Sequence, residues 1–310
     1  MSGAQARSDV LASRFLAPEA VARIGNLELL SRTVVEGFVS GLHRSPYLGR
    51  SVDFAEHRAY MPGDDIRRID WRLFARTDRF YLKEFEADSN TDLVQILDVS
   101  RSMDFTSHGI TKLDYGRYLV ACMAYLARKQ RDRVGLITFD DDVREFVPPS
   151  AKHLPVLLHT LDRAGRPGAG GRRGELALPL RKVAEALHRR SMIVVVSDLY
   201  LEPRAVLDAV SHLSHRGSDL MVFHLLDPAE VEFPFDQAAN YEDLESGERI
   251  PVVPGEVRER YRRLVAEHID ALSRSLGENR VDYAFFDTSI PLDHALFAYL
   301  SRRARFVRHR

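Results

Sequence analysis

Three oxygen-bearing side chains at alternate positions, Asp98, Ser100 and Ser102, follow the apolar run Leu93-Val-Gln-Ile-Leu. One carboxylate and two hydroxyls make a hard donor set that suits Mg²⁺, which takes oxygen ligands and keeps several waters. A second carboxylate, Asp198, follows another apolar run, Ile193 to Val196. In an open parallel sheet the carboxyl ends of the strands form the rim where ligands bind, so the two acids are expected on one rim. A simpler use of the same residues competes with this reading: Asp98 and the serines cap the following helix and satisfy loop amides.

Other chemistries find less support. A metal-dependent hydrolase is the alternative reading. It would enlist Asp98, Asp104, Asp140, Asp141, Asp142 and Asp198 as metal-binding and general-base carboxylates. A phosphoaspartyl-type enzyme, however, wants a second aspartate where Ser100 stands, and no Ser-His-Asp order or His-Glu-x-x-His pattern points to another reaction. The triple aspartate after Phe139 reads as a solvated turn. The glycine-rich piece 166–174 lacks the Gly-Lys-Ser/Thr ending of a phosphate loop. A formal net charge of −1 supplies no global field toward nucleic acid, and the arginines of Ser301 to Arg310 read as a solvated helix end.

The elements that must position these residues form an alternating series. Leu93 to Asp98, Arg133 to Phe139, Met192 to Val196 and Leu220 to Leu226 read as strands. Helices are expected over Lys112–Lys129, His153–Arg163, Leu176–Arg189 and Pro203–His215. Val143 to Val147 reads as a short strand stopped by Pro148-Pro149. Continuously apolar strands alternating with helices mean a mostly parallel, doubly wound α/β sheet flanked by helices, of Rossmann type. Residues 228–255 are expected to form a hairpin, followed by a charged helix over Gly255–Leu276, a strand from Val281 and a last helix over Leu292–Arg305. At 310 residues the chain holds one large domain and an accessory segment. Residues 1–17 read as a flexible start and 18–90 as a helix-plus-strand accessory segment. That segment has a helix opening at Pro18 and a strand at Phe80-Tyr-Leu-Lys-Glu-Phe. The main domain takes 91–310 and ends in a C-terminal helical extension.

Cys122 is the sole cysteine, so no intrachain disulfide forms, and its apolar surroundings predict a buried helix position. The apolar runs are too short for a membrane span, and the first twenty residues lack a signal-peptide core. These features lead to the expectation of a cytoplasmic protein.

The Asp98-Val-Ser-Arg-Ser stretch resembles the Asp-x-Ser-x-Ser signature of the metal-ion-dependent adhesion site in von Willebrand factor A domains. The resemblance implies Ser100 and Ser102 as direct Mg²⁺ ligands, with Asp98 and Asp198 acting mostly through water. The threonine that this family supplies from a second loop is absent ahead of the helix at Leu176. Either Glu175 substitutes, water fills the position, or metal binding is weak or lost. Upstream, Gly49-Arg-Ser-Val-Asp-Phe and Tyr60-Met-Pro-Gly-Asp-Asp-Ile-Arg-Arg-Ile-Asp-Trp-Arg-Leu-Phe-Ala-Arg resemble the signature of bacterial domain-of-unknown-function family 58. That resemblance implies a von Willebrand A-like domain and partnership with a MoxR-type AAA+ ATPase in assembling or activating other proteins. The expected role is that of a non-catalytic protein-interaction module. Within this signature, beside Gly63, the charges Asp64, Asp65, Arg67, Arg68, Asp70, Arg72 and Arg76 surround the lone Trp71. The charges either form a self-satisfied ion network docked through Trp71 and Phe74 or present arginine forks to an acidic partner.

Overall fold

The computed structural model describes residues 23–44, 57–59, 81–83, 91–165, 176–187, 189–214, 217–244 and 246–308. The chain separates into two units, Val39–Asn90 and the remainder. The expected loose start, the signature residues Gly63 to Arg76 and Glu175 lie outside the described residues.

In the smaller unit, strands β1 (His57–Ala59) and β2 (Tyr81–Lys83) pair antiparallel with Arg58 opposite Leu82. Only the second was expected. Helix α1 (Leu27–Arg44), which belongs to the larger unit as far as Phe38, begins at Leu27, while the expected opening at Pro18 lies outside the described residues. Its start is set by Asn26, whose Oδ1 accepts the amides of Glu28 and Leu29 at 2.9 and 3.0 Å. A side chain that satisfies these orphan donors fixes a helix N-terminus more firmly than apolar spacing does. The face of Leu27, Leu30, Val34, Val35 and Phe38 is buried.

Six strands form the central sheet: β3 (Asp92–Asp98), β4 (Arg133–Phe139), β5 (Val143–Ser150), β6 (Ser191–Ser197), β7 (Asp219–Leu226) and β10 (Asp282–Asp287), in the order β10-β7-β6-β3-β4-β5. All neighbours run parallel except β5, which pairs antiparallel with β4. Every residue of β3 and β6 is buried, as central parallel strands covered on both faces require. Alternation along β3 then divides its side chains between two cores. Val94 and Ile96 join Val195, Val222 and residues of the helices α4 (Ala177–Ala186), α5 (Pro203–Ser214) and α7 (Pro254–Glu278). On the opposite face, Leu97 meets α2 (Lys112–Lys129) at Gly116, where an added Cβ would lie 3.0 Å from the Leu97 Cδ1. Helices α3 (Leu154–Ala164) and α8 (Leu292–Arg308) pack beside α2. Each fully buried Leu, Ile or Val in these two cores contributes about 1.5–3 kcal/mol. Cys122 is fully buried on α2, and burial pushes its thiol pKa well up.

Pro148-Pro149 does not stop β5, which continues to Ser150. The strand lies at the edge of the described sheet, where a residue without an N–H is tolerated. The register shifts between Val134 and Leu136 to accommodate the prolines. Gly135 makes this possible, because a Cβ there would sit 3.0 Å from both Pro149 and the Val147 carbonyl.

Between β7 and β10 come the short helix α6 (Pro228–Glu232), the hairpin β8 (Ala239–Glu242) and β9 (Arg249–Val252), and α7. The 25-residue α7 buries Leu272 and Leu276 in the core, so its last turns pack on the domain, while Leu264 nearer its start is half exposed.

Candidate functional site

The chain runs outward from β3 through β4 to β5, then returns to lay β6, β7 and β10 on the other side. The switch point therefore falls between β3 and β6, where successive connections diverge and leave a crevice at the carboxyl ends. Asp98 closes β3 and Asp198 follows β6 directly. Both are buried, as are Ser100 and Ser102. All four expected donors lie at this one switch-point rim.

The rim is organised by hydrogen bonds centred on Asp98, with the two serine hydroxyls side by side. Asp98 Oδ1 accepts the Ser100 amide at 2.9 Å and Oδ2 accepts the Ser197 hydroxyl at 2.6 Å. Ser100 occupies the cap position of the 3₁₀ turn Arg101–Asp104 but makes no side-chain cap bond. The next helix, α2, is capped instead by Thr111, whose Oγ1 accepts the Asp114 amide at 2.9 Å. Capping therefore does not account for the serines. Their Oγ atoms are 3.1 Å apart. Adjacent ligands of an octahedral Mg²⁺, with bonds of about 2.0–2.1 Å, lie about 3 Å apart, so the pair fits one edge of such a shell. Burial and the nearby Asp198 carboxylate push the Asp98 pKa up to about 7, against the hydrogen bonds from Ser100 and Ser197. An excess of negative charge of this kind is what a hard cation relieves, and the donor set fits one.

Beside Asp198 stands a cation that sequence reasoning missed. Lys112, fully buried, places Nζ 2.9 Å from Asp198 Oδ2 and 2.7 Å from Glu230 Oε1. Burial alone would lower its pKa, but Asp198 and Glu230 outweigh burial and raise it. The half-exposed ring of Tyr200 lies 4.7 Å from the ammonium. Glu230 is shared: its Oε2 accepts the Asp227 amide at 2.8 Å, completing a capping box on α6. Asp227 in turn accepts the Ser107 amide at 2.8 Å and His108 Nδ1 at 3.2 Å, pinning the loop before α2. One signal for Lys112 did exist in the sequence. A lysine directly after a cap residue faces the positive end of the helix dipole, where acids are preferred, so it needs compensation from elsewhere.

The backbone after Asp198 is bent to serve the rim. Leu199 is left-handed at φ 48° although buried, a conformation that costs about 1–3 kcal/mol in a non-glycine residue. Its amide donates to Ser197 Oγ at 3.1 Å, and its carbonyl lies 3.2 Å from His268 Nε2 on α7. His224 on β7 pairs with the Tyr283 hydroxyl at 2.7 Å, and burial pushes its pKa down to about 3. This imidazole therefore brings no positive charge to the rim.

The remaining acids of the hydrolase reading do not converge on this rim. Asp104 is exposed on the 3₁₀ turn. The triple aspartate is not the solvated turn expected from sequence, because Asp140 is fully buried. Its Oδ1 accepts the Asp142 amide at 3.2 Å and its Oδ2 accepts Arg144 Nε at 2.6 Å, which makes it the organiser of the β4–β5 turn. Among the described residues no group of three or more His, Cys, Asp or Glu side chains is placed to hold a metal. The strand-end site is built from serines as much as acids.

A mostly parallel sheet with one antiparallel edge and an Asp-x-Ser-x-Ser rim at its switch point defines a von Willebrand factor A-like domain. The chain belongs to the family described as protein of unknown function DUF58, which matches residues 56–271. An uncharacterized protein of Mycobacterium tuberculosis is 28% identical over 263 residues, covering 84% of this chain and 82% of its own length. A Mycobacterium bovis protein gives the same figures. Among solved structures, an aerotolerance-related membrane protein from Bacteroides fragilis is 16% identical, covering 68% of this chain and 99% of its own, with a TM-score of 0.45. The conserved hypothetical protein BatB from Bacteroides thetaiotaomicron is 15% identical, covering 69% and 98%, with a TM-score of 0.45. No helix among the described residues is long and apolar enough to cross a membrane.

Proposed function

We propose that this chain is a non-catalytic interaction module that receives a partner carboxylate at the β3/β6 rim. The observation that carries the reading is the convergence of Asp98, Ser100, Ser102 and Asp198 there, with the serine hydroxyls 3.1 Å apart and unused as helix caps. Mg²⁺ held at Ser100 and Ser102, with Asp98 and Asp198 acting through water, would supply a positive centre for an acidic group. Arg101, exposed between the two serines, adds a guanidinium that pairs with carboxylates. Half-exposed Tyr200 gives the same rim an aromatic contact of the type enriched at binding hot spots. The signature around Trp71 points to a MoxR-type AAA+ ATPase as the partner, with the chain acting as adaptor.

The test is surface plasmon resonance of the full chain against a purified MoxR-type ATPase, in Mg²⁺ and in EDTA, beside a Ser100→Ala variant. Binding in Mg²⁺ that weakens at least about tenfold in EDTA and in the variant is expected, since one lost metal ligand or charge-assisted contact amounts to that factor or more. Binding indifferent to both changes would remove the rim from the interaction, and no binding at all would remove the partner.

A further inference from the structure

We propose that Lys112 is a resident counter-ion that stands in, at this rim, for part of the charge a divalent cation carries in a metal-dependent site. On this assignment the rim is preformed without metal and binds divalent cations only weakly. The inference deepens the function proposed above and rests on the same rim.

The argument begins with where the lysine is. It opens α2 directly behind the cap residue Thr111, at the helix end that repels cations, and its side chain is fully buried. An ammonium in that position persists only when carboxylates compensate it. The compensation comes from outside the helix, from Asp198 after β6 at 2.9 Å and from Glu230 on α6 at 2.7 Å. One ammonium therefore ties together the starts of two helices and the end of a core strand, which is the clamping role that a bound ion plays where carboxylates converge. Of the three buried or nearly buried carboxylates here, Asp198 and Glu230 are bonded to Lys112, and Asp98 faces Asp198. Asp198 is already committed to the ammonium, so an incoming divalent ion meets a neighbouring positive charge and, in Asp98, a carboxylate that already accepts the Ser100 amide and the Ser197 hydroxyl. Coulomb repulsion in a partly desolvated site weakens that ion's binding steeply.

A lysine that were merely a structural tie would give a different experimental signature. Removing it would destabilise the chain equally with and without metal. Removing a counter-ion leaves Asp198 and Glu230 open to another cation, and stability becomes metal-dependent.

The experiment compares thermal melts in EDTA and in millimolar Mg²⁺ or Mn²⁺, with calorimetric titration of the same metals, for the full wild-type chain and Lys112→Met. Expected are a wild-type melting temperature indifferent to EDTA, a variant that melts lower in EDTA and recovers with metal, and metal binding tighter in the variant by on the order of tenfold or more. Wild type that binds metal as tightly as the variant, or a variant that metal does not rescue, would overturn the proposal. Metal binding seen in Lys112→Met and not in wild type would sustain it while removing Mg²⁺ from the proposed function. Should Lys112→Met fail to fold, the charge-matched Lys112→Met/Glu230→Gln variant carries the test. Divalent stabilisation of that chain supports the counter-ion role, and indifference to metal overturns it.

Discussion

Two acid-rich turns lie at the carboxyl ends of neighbouring strands, and they differ in what satisfies them. At the end of β4, Asp140 is held by Arg144 and the Asp142 amide, and Asp142 by Lys182 at 2.6 and 2.7 Å, with Arg144, Asp142 and Lys182 all open to water. At the ends of β3 and β6 the acids are sunk among serine hydroxyls and a fully buried lysine. The first turn closes its own account locally, within five residues and one helix. The second draws its partners from separate elements, Ser197 closing β6 and Lys112 opening α2, and brings two serine hydroxyls within 3.1 Å of each other. Density of aspartate is therefore a poor guide to a site; the guide is whether local partners exhaust the donors.

This contrast is open to direct tests. The largest effect is expected from Glu230→Ala, which strips a partner from buried Lys112 and dismantles the α6 capping box. Leaving a buried charge half-paired costs about 3–5 kcal/mol, measured by urea unfolding in EDTA. A loss below about 1 kcal/mol would place Lys112 in the same class as the exposed pairs of the β4 turn. A smaller, pH-dependent effect belongs to Asp98→Asn. The Asp98 carboxyl titrates near 7 in the folded chain and near its ordinary value when unfolded, so between these limits the folded state holds the extra proton. Stability contributed by the protonated carboxyl is complete below about pH 4 and is lost as the pH rises through about 7. Unfolding across pH 4–8 should show Asp98→Asn gaining on wild type toward the alkaline end, and a constant offset would contradict the burial argument. The smallest effect is expected at the other turn. Lys182→Met should leave the melting temperature within replicate error, because exposed ion pairs contribute little.

Much of the main domain could be read before folding because its strands are uninterrupted apolar runs. Leu93 to Asp98, Met192 to Val196 and Leu220 to Leu226 appear where expected, extended by a residue or two. The placement of Asp98, Ser100, Ser102 and Asp198 at one rim was readable for a related reason: strand ends place them, and strands were the clearest signal. Lys112 and Glu230 were hidden because they meet across 118 residues, a pairing that spacing does not encode. Pro148 was misjudged on local grounds, because a proline signal was read without knowing that its strand lay at the edge of the described sheet.

That edge has a consequence for how any partner approaches. Strand β5, the last strand of the sheet among the described residues, carries two successive residues without backbone N–H groups, and its register with β4 shifts at the same place. A proline on an edge strand withholds a ladder donor, which disfavours growth of the sheet by strand addition there, for copies of this chain and for other proteins alike.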